Sequence, residues 1–204
     1  PQAKHLMSKD IRKLAPLCEP YVKKISGPDG HGWVKRFDIF FEETLFLSRE
    51  PIAAVMGRDE EIFILCKRKN LKNGQRLPFT IISLNVKEKG AVHKKINVGD
   101  YEKYRPNGLT TLANGDLVVI GKKYSTNPKH GNSYLQRMTG EGKVLWEKEF
   151  KTEGFDYPVA VVELDNGDLI VGCNSGSVGP GLKEKFNTNF WLIKLDKNGT
   201  IIPF

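Results

Sequence analysis

The sequence contains no long apolar run. Runs such as Ile62–Cys66 and Leu117–Ile120 are only strand-sized. A membrane-spanning helix needs roughly 20 such residues, so none is expected. Cysteine is scarce and odd in number: Cys18, Cys66 and Cys173 lie far apart, which suits neither a disulfide framework nor a metal-binding pair. They read as small core hydrophobes. The histidines, His5, His31, His93 and His130, stand singly with no His-Glu-x-x-His spacing, which disfavours a metal centre. The stretch Ser175-Gly-Ser-Val-Gly-Pro-Gly-Leu-Lys183 is glycine-rich but lacks the Gly-Lys-Ser/Thr ending of a phosphate loop. It reads as a long connection. No catalytic residue, metal ligand or cofactor is expected from these patterns.

What is present is 204 residues, 39% of them hydrophobic, enough for one domain (residues 1–204) with a buried core. The formal net charge of +8 favours acidic partners. An acidic protein or a glycan fits that charge; nucleic acid is disfavoured because no aromatic-basic sheet signature accompanies it. The chain opens on Pro1, with its first methionine at Met7. An exported chain whose signal peptide has been removed would begin this way, which predicts a periplasmic or secreted protein; a start at Met7 would instead make it cytoplasmic.

The main internal signal is a repeat. Leu109-Thr-Thr-Leu-Ala-Asn-Gly-Asp-Leu-Val-Val-Ile-Gly121 and Val161-Val-Glu-Leu-Asp-Asn-Gly-Asp-Leu-Ile-Val-Gly172 both place Asn-Gly-Asp between apolar runs. Asn-Gly supplies positive φ for a two-residue hairpin turn, so Asn114-Gly115 and Asn166-Gly167 are each expected to join two strands. A second strand pair follows each: Tyr134–Met138 with Lys143–Phe150, and Phe190–Leu195 with Thr200–Ile202. A weaker upstream repeat comprises Ile52–Met56, Ile62–Cys66, Thr80–Val86 and Ala91–Val98. Gly90, Gly142 and Gly199 recur 52 and 57 residues apart and align Val86, Met138 and Leu195. The predicted class is all-β, with three four-stranded antiparallel units over 51–100, 101–151 and 152–204.

Leu164-Asp-Asn-Gly-Asp-Leu-Ile-Val171, Asn189-Phe-Trp-Leu-Ile-Lys-Leu-Asp-Lys-Asn-Gly-Thr-Ile201 and Val144-Leu-Trp-Glu-Lys-Glu-Phe150 resemble blades of bacterial β-propeller repeat proteins. The resemblance covers about residues 51–204 and implies architecture, since such blades serve many ligands and chemistries. Three repeats fall short of the four or more blades of a closed ring. The N-terminal segment 1–50 is therefore expected to cap or complete it. A short helix after Ser8 would place Ile11, Leu14 and Leu17 on one face, ended by Pro16 and Pro20. Strands at Gly32–Phe41 and Thr44–Leu47 would follow, although Phe37, Phe40 and Phe41 also have helical spacing. Uncovered sheet edges could instead pair in a homodimer.

In such a blade the loops after the second and fourth strands share one face. That sorting collects Lys67, Arg68, Lys69, Lys72 and Arg76, then Lys122 and Lys123, beside Tyr101, Tyr104, Arg105, Phe155 and Tyr157. Tyr and Arg give large, directional contact area. The expected function is non-enzymatic recognition of a protein partner, as an immunity protein or enzyme inhibitor does. A plainer reading packs Tyr104 and Tyr157 between sheets. Two alternatives stand beside these: a module that binds or hydrolyses glycans, and a structural assembly segment. Asp59, Glu60, Glu61, Asp116, Asp165 and Asp168 fall on the opposite face, at turns, where Asp and Asn have a structural purpose.

Overall fold

The computed structural model describes residues 21–24, 33–36, 47–70, 73–88, 91–99, 103–124, 131–150, 155–178 and 186–204. Within them the chain is all-β and no helix occurs. A ribbon pairs β1 (Tyr21–Lys24) with β2 (Trp33–Arg36). The first sheet is β3 (Leu47–Met56), β4 (Glu61–Asn70), β5 (Arg76–Asn85) and β6 (Ala91–Val98). The second is β7 (Tyr104–Thr111), β8 (Leu117–Tyr124), β9 (Gly131–Met138) and β10 (Val144–Phe150). The third holds β11 (Phe155–Glu163), β12 (Leu169–Val178) and β13 (Phe186–Leu195). All are antiparallel meanders. Of the expected N-terminal elements, the helix after Ser8 falls outside the described residues; the strand at Gly32–Phe41 is described over Trp33–Arg36, which form β2, and that at Thr44–Leu47 only at Leu47, which begins β3.

Three expectations need correction: a strand count, a turn length and, below, an alignment. The third sheet has three strands instead of four: after the turn at Asp196–Gly199 only an isolated bridge, Leu195 to Ile201, marks where the fourth would run. The Asn-Gly turns are also one residue longer than a two-residue hairpin. The amide of Gly115 donates to Leu112 O and that of Leu112 to Asp116 O, both at 2.8 Å, and only Gly115 has positive φ, at 90°. This is a type I turn closed by a left-handed glycine. Asn166-Gly167 repeats it, with Gly167 at 84°. In each, the asparagine amide donates to the following aspartate, at 2.7 and 2.8 Å.

The sheets share a further register that the sequence reading did not detect. Pro51, Pro106 and Pro158 stand opposite Cys66, Gly121 and Cys173, and each first strand bulges just after its proline. Proline cannot donate to the ladder, so a bulge is where an internal strand can hold it. Counting from the hairpins, Ile62, Leu117 and Leu169 are equivalent and pair with Leu84, Met138 and Leu195. Leu84, not Val86, thus matches Met138. The offset is two residues, which with a period of two leaves the apolar face unchanged.

Each sheet therefore has two faces with different neighbours. Phe63, Leu65, Phe79 and Ile81 on the front of the first sheet pack with Leu109, Leu117, Val119 and Met138 on the back of the second. Val118, Ile120, Leu135 and Phe150 on the front of the second pack with Val161, Leu169, Val171, Cys173, Ile193 and Leu195 on the back of the third. Ile64, Cys66, Ile82 and Leu84 form a third buried cluster on the back of the first sheet. Strand-to-strand bonds tie the layers together: Thr111 Oγ1 donates to Met56 O at 2.7 Å and Asn107 Nδ2 to Pro158 O at 3.0 Å.

Candidate functional site

The strands of the second sheet run further than their apolar cores suggest, and the extra length builds the candidate site. Gly121 reads as the end of β8 but is a continuation: a side chain there would collide with the Arg105 carbonyl and Pro106 Cα. Beyond it Lys122, Lys123 and Tyr124 extend β8 opposite Arg105 and Tyr104 of β7 and Ser133, Asn132 and Gly131 of β9. Alternation then divides these residues between the two faces.

On the back of the sheet stand Tyr104, Lys123, Asn132, Tyr134, Glu147 and Glu149. Lys123 Nζ donates to Glu149 Oε2 at 2.6 Å, and Asn132 Nδ2 donates to the other oxygen of that carboxylate. This bond to Glu149 is the main reason the Lys123 ammonium holds its proton above the usual lysine range. Tyr134 Oη and Gln136 Nε2 donate to Glu147 Oε1 at 2.9 and 2.6 Å. Burial, then the Glu147 carboxylate, pushes the Tyr134 hydroxyl far above the ordinary tyrosine range. Tyr104 packs on Tyr134, with ring centroids 4.5 Å apart, and lies against Gly99 so closely that a Cβ there would meet its ring at 2.8 Å.

On the front stand Arg105, Lys122 and Tyr124, facing the third sheet. The Arg105 guanidinium lies 4.3 Å from the Tyr124 ring centre and donates to Tyr124 Oη at 3.0 Å. Lys122 Nζ sits 4.4 Å from the centre of the Tyr157 ring. Burial, and next the positive charge of Arg105, lowers the Lys122 ammonium from its ordinary value. Deeper in this interface are fully buried Asp156, Ser133 and Cys173. Burial pushes the Cys173 thiol up; a neutral thiol at this depth is a packing group and not a nucleophile.

Tyr104, Arg105, Lys122, Lys123 and Tyr157 thus converge at one end of the second sheet, as strand residues and not as loops. Lys67, Arg68 and Arg76 belong to the first sheet, where Lys67 pairs with Glu50 at 2.8 Å and Arg68 donates to Thr80 Oγ1 at 3.2 Å. Arg76 begins β5 opposite Lys69. Lys72 and Tyr101 lie outside the described residues, as do the side chains of Lys69 and Phe155. Tyr124, Tyr134, Asn132, Glu147 and Glu149 were missed. The period-two alternation of Glu147 and Glu149 against Trp146 and Lys148 could have revealed the two acids. They make this end less one-sidedly basic than the loops imply.

The acidic residues of the opposite end serve the turns. Asp116 Oδ2 accepts from Arg137 Nε at 2.9 Å and Nη2 at 2.8 Å, a pair almost fully buried. Asp168 faces Lys194 at 3.7 Å in the equivalent place, and Glu61 takes a bond from Ser83. A groove of about 370 Å³ lies between β10 and the last turn, lined by Arg137, Leu145, Trp146, Lys197 and Asn198. Arg137 Nη1 and Trp146 Nε1 both donate to Lys197 O there, at 2.9 and 3.1 Å. Among the described residues no group of three or more His, Cys, Asp and Glu side chains could hold a metal ion, and no helix is long and apolar enough to cross a membrane. No protein-family model matches the chain, and no curated protein matches it.

Proposed function

We propose that this chain is a non-enzymatic binding protein built of propeller-like repeats, which recognises an acidic protein through the strand end of its second sheet, where Arg105, Lys122 and Tyr124 stand beside Tyr157. The observation that carries the reading is the pairing of Arg105 with Tyr124 and of Lys122 with Tyr157 at one strand end. Cations held over tyrosine rings are already ordered before a partner arrives, so little side-chain entropy is lost on binding. Tyr and Arg are also the residues that most often dominate binding energy. A glycan platform would need Tyr101, Tyr104 or Phe155 open beside carboxylates; of these, Tyr104 is packed on Tyr134 and Gly99, and the other two side chains lie outside the described residues.

The test is affinity capture of a partner on the immobilised chain, followed by association kinetics for the captured protein from low to high salt. Steering by this charge predicts slower association as salt rises. Arg105→Ala and Tyr124→Ala are each expected to weaken binding by about tenfold or more. Association that ignores salt, together with unchanged affinity in both variants, would sink the reading.

A further inference from the structure

The two internal interfaces are built from the same positions, and on the third sheet two of those positions are exposed among the described residues. Phe63, Leu65, Phe79 and Ile81 on the front of the first sheet correspond, by strand register, to Val118, Ile120, Ser133 and Leu135 on the second. All eight are buried. Their equivalents on the third sheet are Ile170, Gly172, Phe190 and Leu192. There Phe190 is 65% exposed and Leu192 47%, and Val162, opposite Ile170 on β11, is 58% exposed. The Phe190 ring leans over Gly172, where a Cβ would meet it at 3.3 Å.

A second device repeats with the interface. Arg137 binds Asp116 of its own sheet and donates onward to Lys197 O in the last turn of the next. Lys94 likewise reaches from the first sheet to Glu141, in the matching turn of the second, at 2.6 Å. Lys194 occupies the position of Arg137 in the third sheet and stands near its own Asp168 at 3.7 Å.

We propose that the front of the third sheet is a docking surface for one more antiparallel sheet of this same repeat, supplied by a partner. The occupant's chemistry follows from the faces already paired. It presents a back like those of the second and third sheets, with Leu-x-Val on its second strand, and a turn whose carbonyl or carboxylate Lys194 can reach. A second copy of this chain has no such back to offer: Leu117, Val119 and Met138 are covered by the first sheet, Leu169, Val171 and Ile193 by the second, and Ile64, Ile82 and Leu84 are buried as well. The patch thus continues an interface series that the chain has used twice.

The experiment tethers a surrogate sheet to the full chain, because tethering supplies a high effective concentration. Residues 103–151 are appended after Phe204 through a flexible linker, and residues 155–204 are appended in a second version. Expected results are slowed amide exchange in β12 and β13 and a raised Tm relative to the unextended chain. Leu117→Lys with Val119→Lys in the appended unit, or Leu169→Lys with Val171→Lys in the other version, should abolish both effects. Two results would overturn the proposal. One is unchanged exchange and Tm in both tethered versions. The other is a dimer of the unextended chain that Phe190→Ser with Leu192→Ser disperses, which would make a second copy the occupant.

Discussion

Asp59 and Glu60 are the two described non-glycine residues with positive φ, at 53° and 60°. They occupy the centre of the turn closed by the Glu61 amide on Arg58 O at 2.9 Å. Left-handed backbone costs a residue with a side chain about 1–2 kcal/mol, and glycine or asparagine much less. The first repeat lacks the Asn-Gly found at the other two hairpins and bears that strain. Replacing the pair by Asp59→Asn and Glu60→Gly is expected to stabilise the protein by on the order of 1 kcal/mol, read as a higher thermal midpoint. A lower midpoint would mean that the two acidic side chains contribute more than their backbone costs. Tyr134 gives a residue-scale prediction of the opposite sort. Its hydroxyl pKa is raised by burial and by Glu147, so folding favours the neutral phenol. That contribution is full below the ordinary tyrosine value of about 10 and is lost as pH climbs above it, because the unfolded chain ionises first. Lys123 and Lys94, also raised, act in the same alkaline window; Lys122, lowered, acts in the opposite sense. Tyr134→Phe should cost about 1 kcal/mol near neutrality through its lost bond. The stability gap between wild type and variant should then narrow above about pH 10, measured as urea midpoints at both pH values. A gap independent of pH would refute the assignment.

At the scale of elements, the buried Asp116–Arg137 pair joins β8, β9 and the last turn in one network. Breaking one member of a buried pair leaves an uncompensated charge and typically costs about 3–5 kcal/mol. Arg137→Ala should approach that range in urea unfolding, whereas Lys194→Ala, at the looser and equivalent site, should cost under about 1 kcal/mol. Equal losses at both would show that the onward bond to Lys197 O adds nothing. The contrast also shows what the sequence made legible. Asn-Gly-Asp announces the hairpins because turn chemistry is local, so strand pairing and the apolar faces follow from it. Turn length was not legible, since Asn-Gly serves both a two-residue turn and a type I turn ending in glycine. Pro51, Pro106 and Pro158 recur about fifty residues apart, yet proline within a strand normally argues against the strand. Its meaning emerged only from the bulges. The candidate site was read in Tyr104, Arg105, Lys122, Lys123 and Tyr157 but not in Tyr124, Tyr134, Glu147 and Glu149, because these act across strands and their partners depend on register.

For the molecule as a whole, the order of the layers predicts the order of opening. The second sheet is covered on both faces, with Leu117, Val118, Val119 and Leu135 fully buried. Among the described residues the third is covered on one face, and β13 has β12 as its full-length neighbour plus a single bridge at Ile201. Local opening is least costly where apolar contacts are fewest and edge hydrogen bonds face water. Amides of β8 and β9 should therefore exchange only through global unfolding, at rates that rise steeply with added denaturant. Those along the outer edge of β13 should exchange through local fraying, at rates that low denaturant barely alters. Native-state hydrogen exchange resolves the two behaviours strand by strand. Uniform, denaturant-sensitive exchange across β8, β9 and β13 would mean that the three layers open as one unit and that the uncovered front of the third sheet costs the fold nothing in local stability.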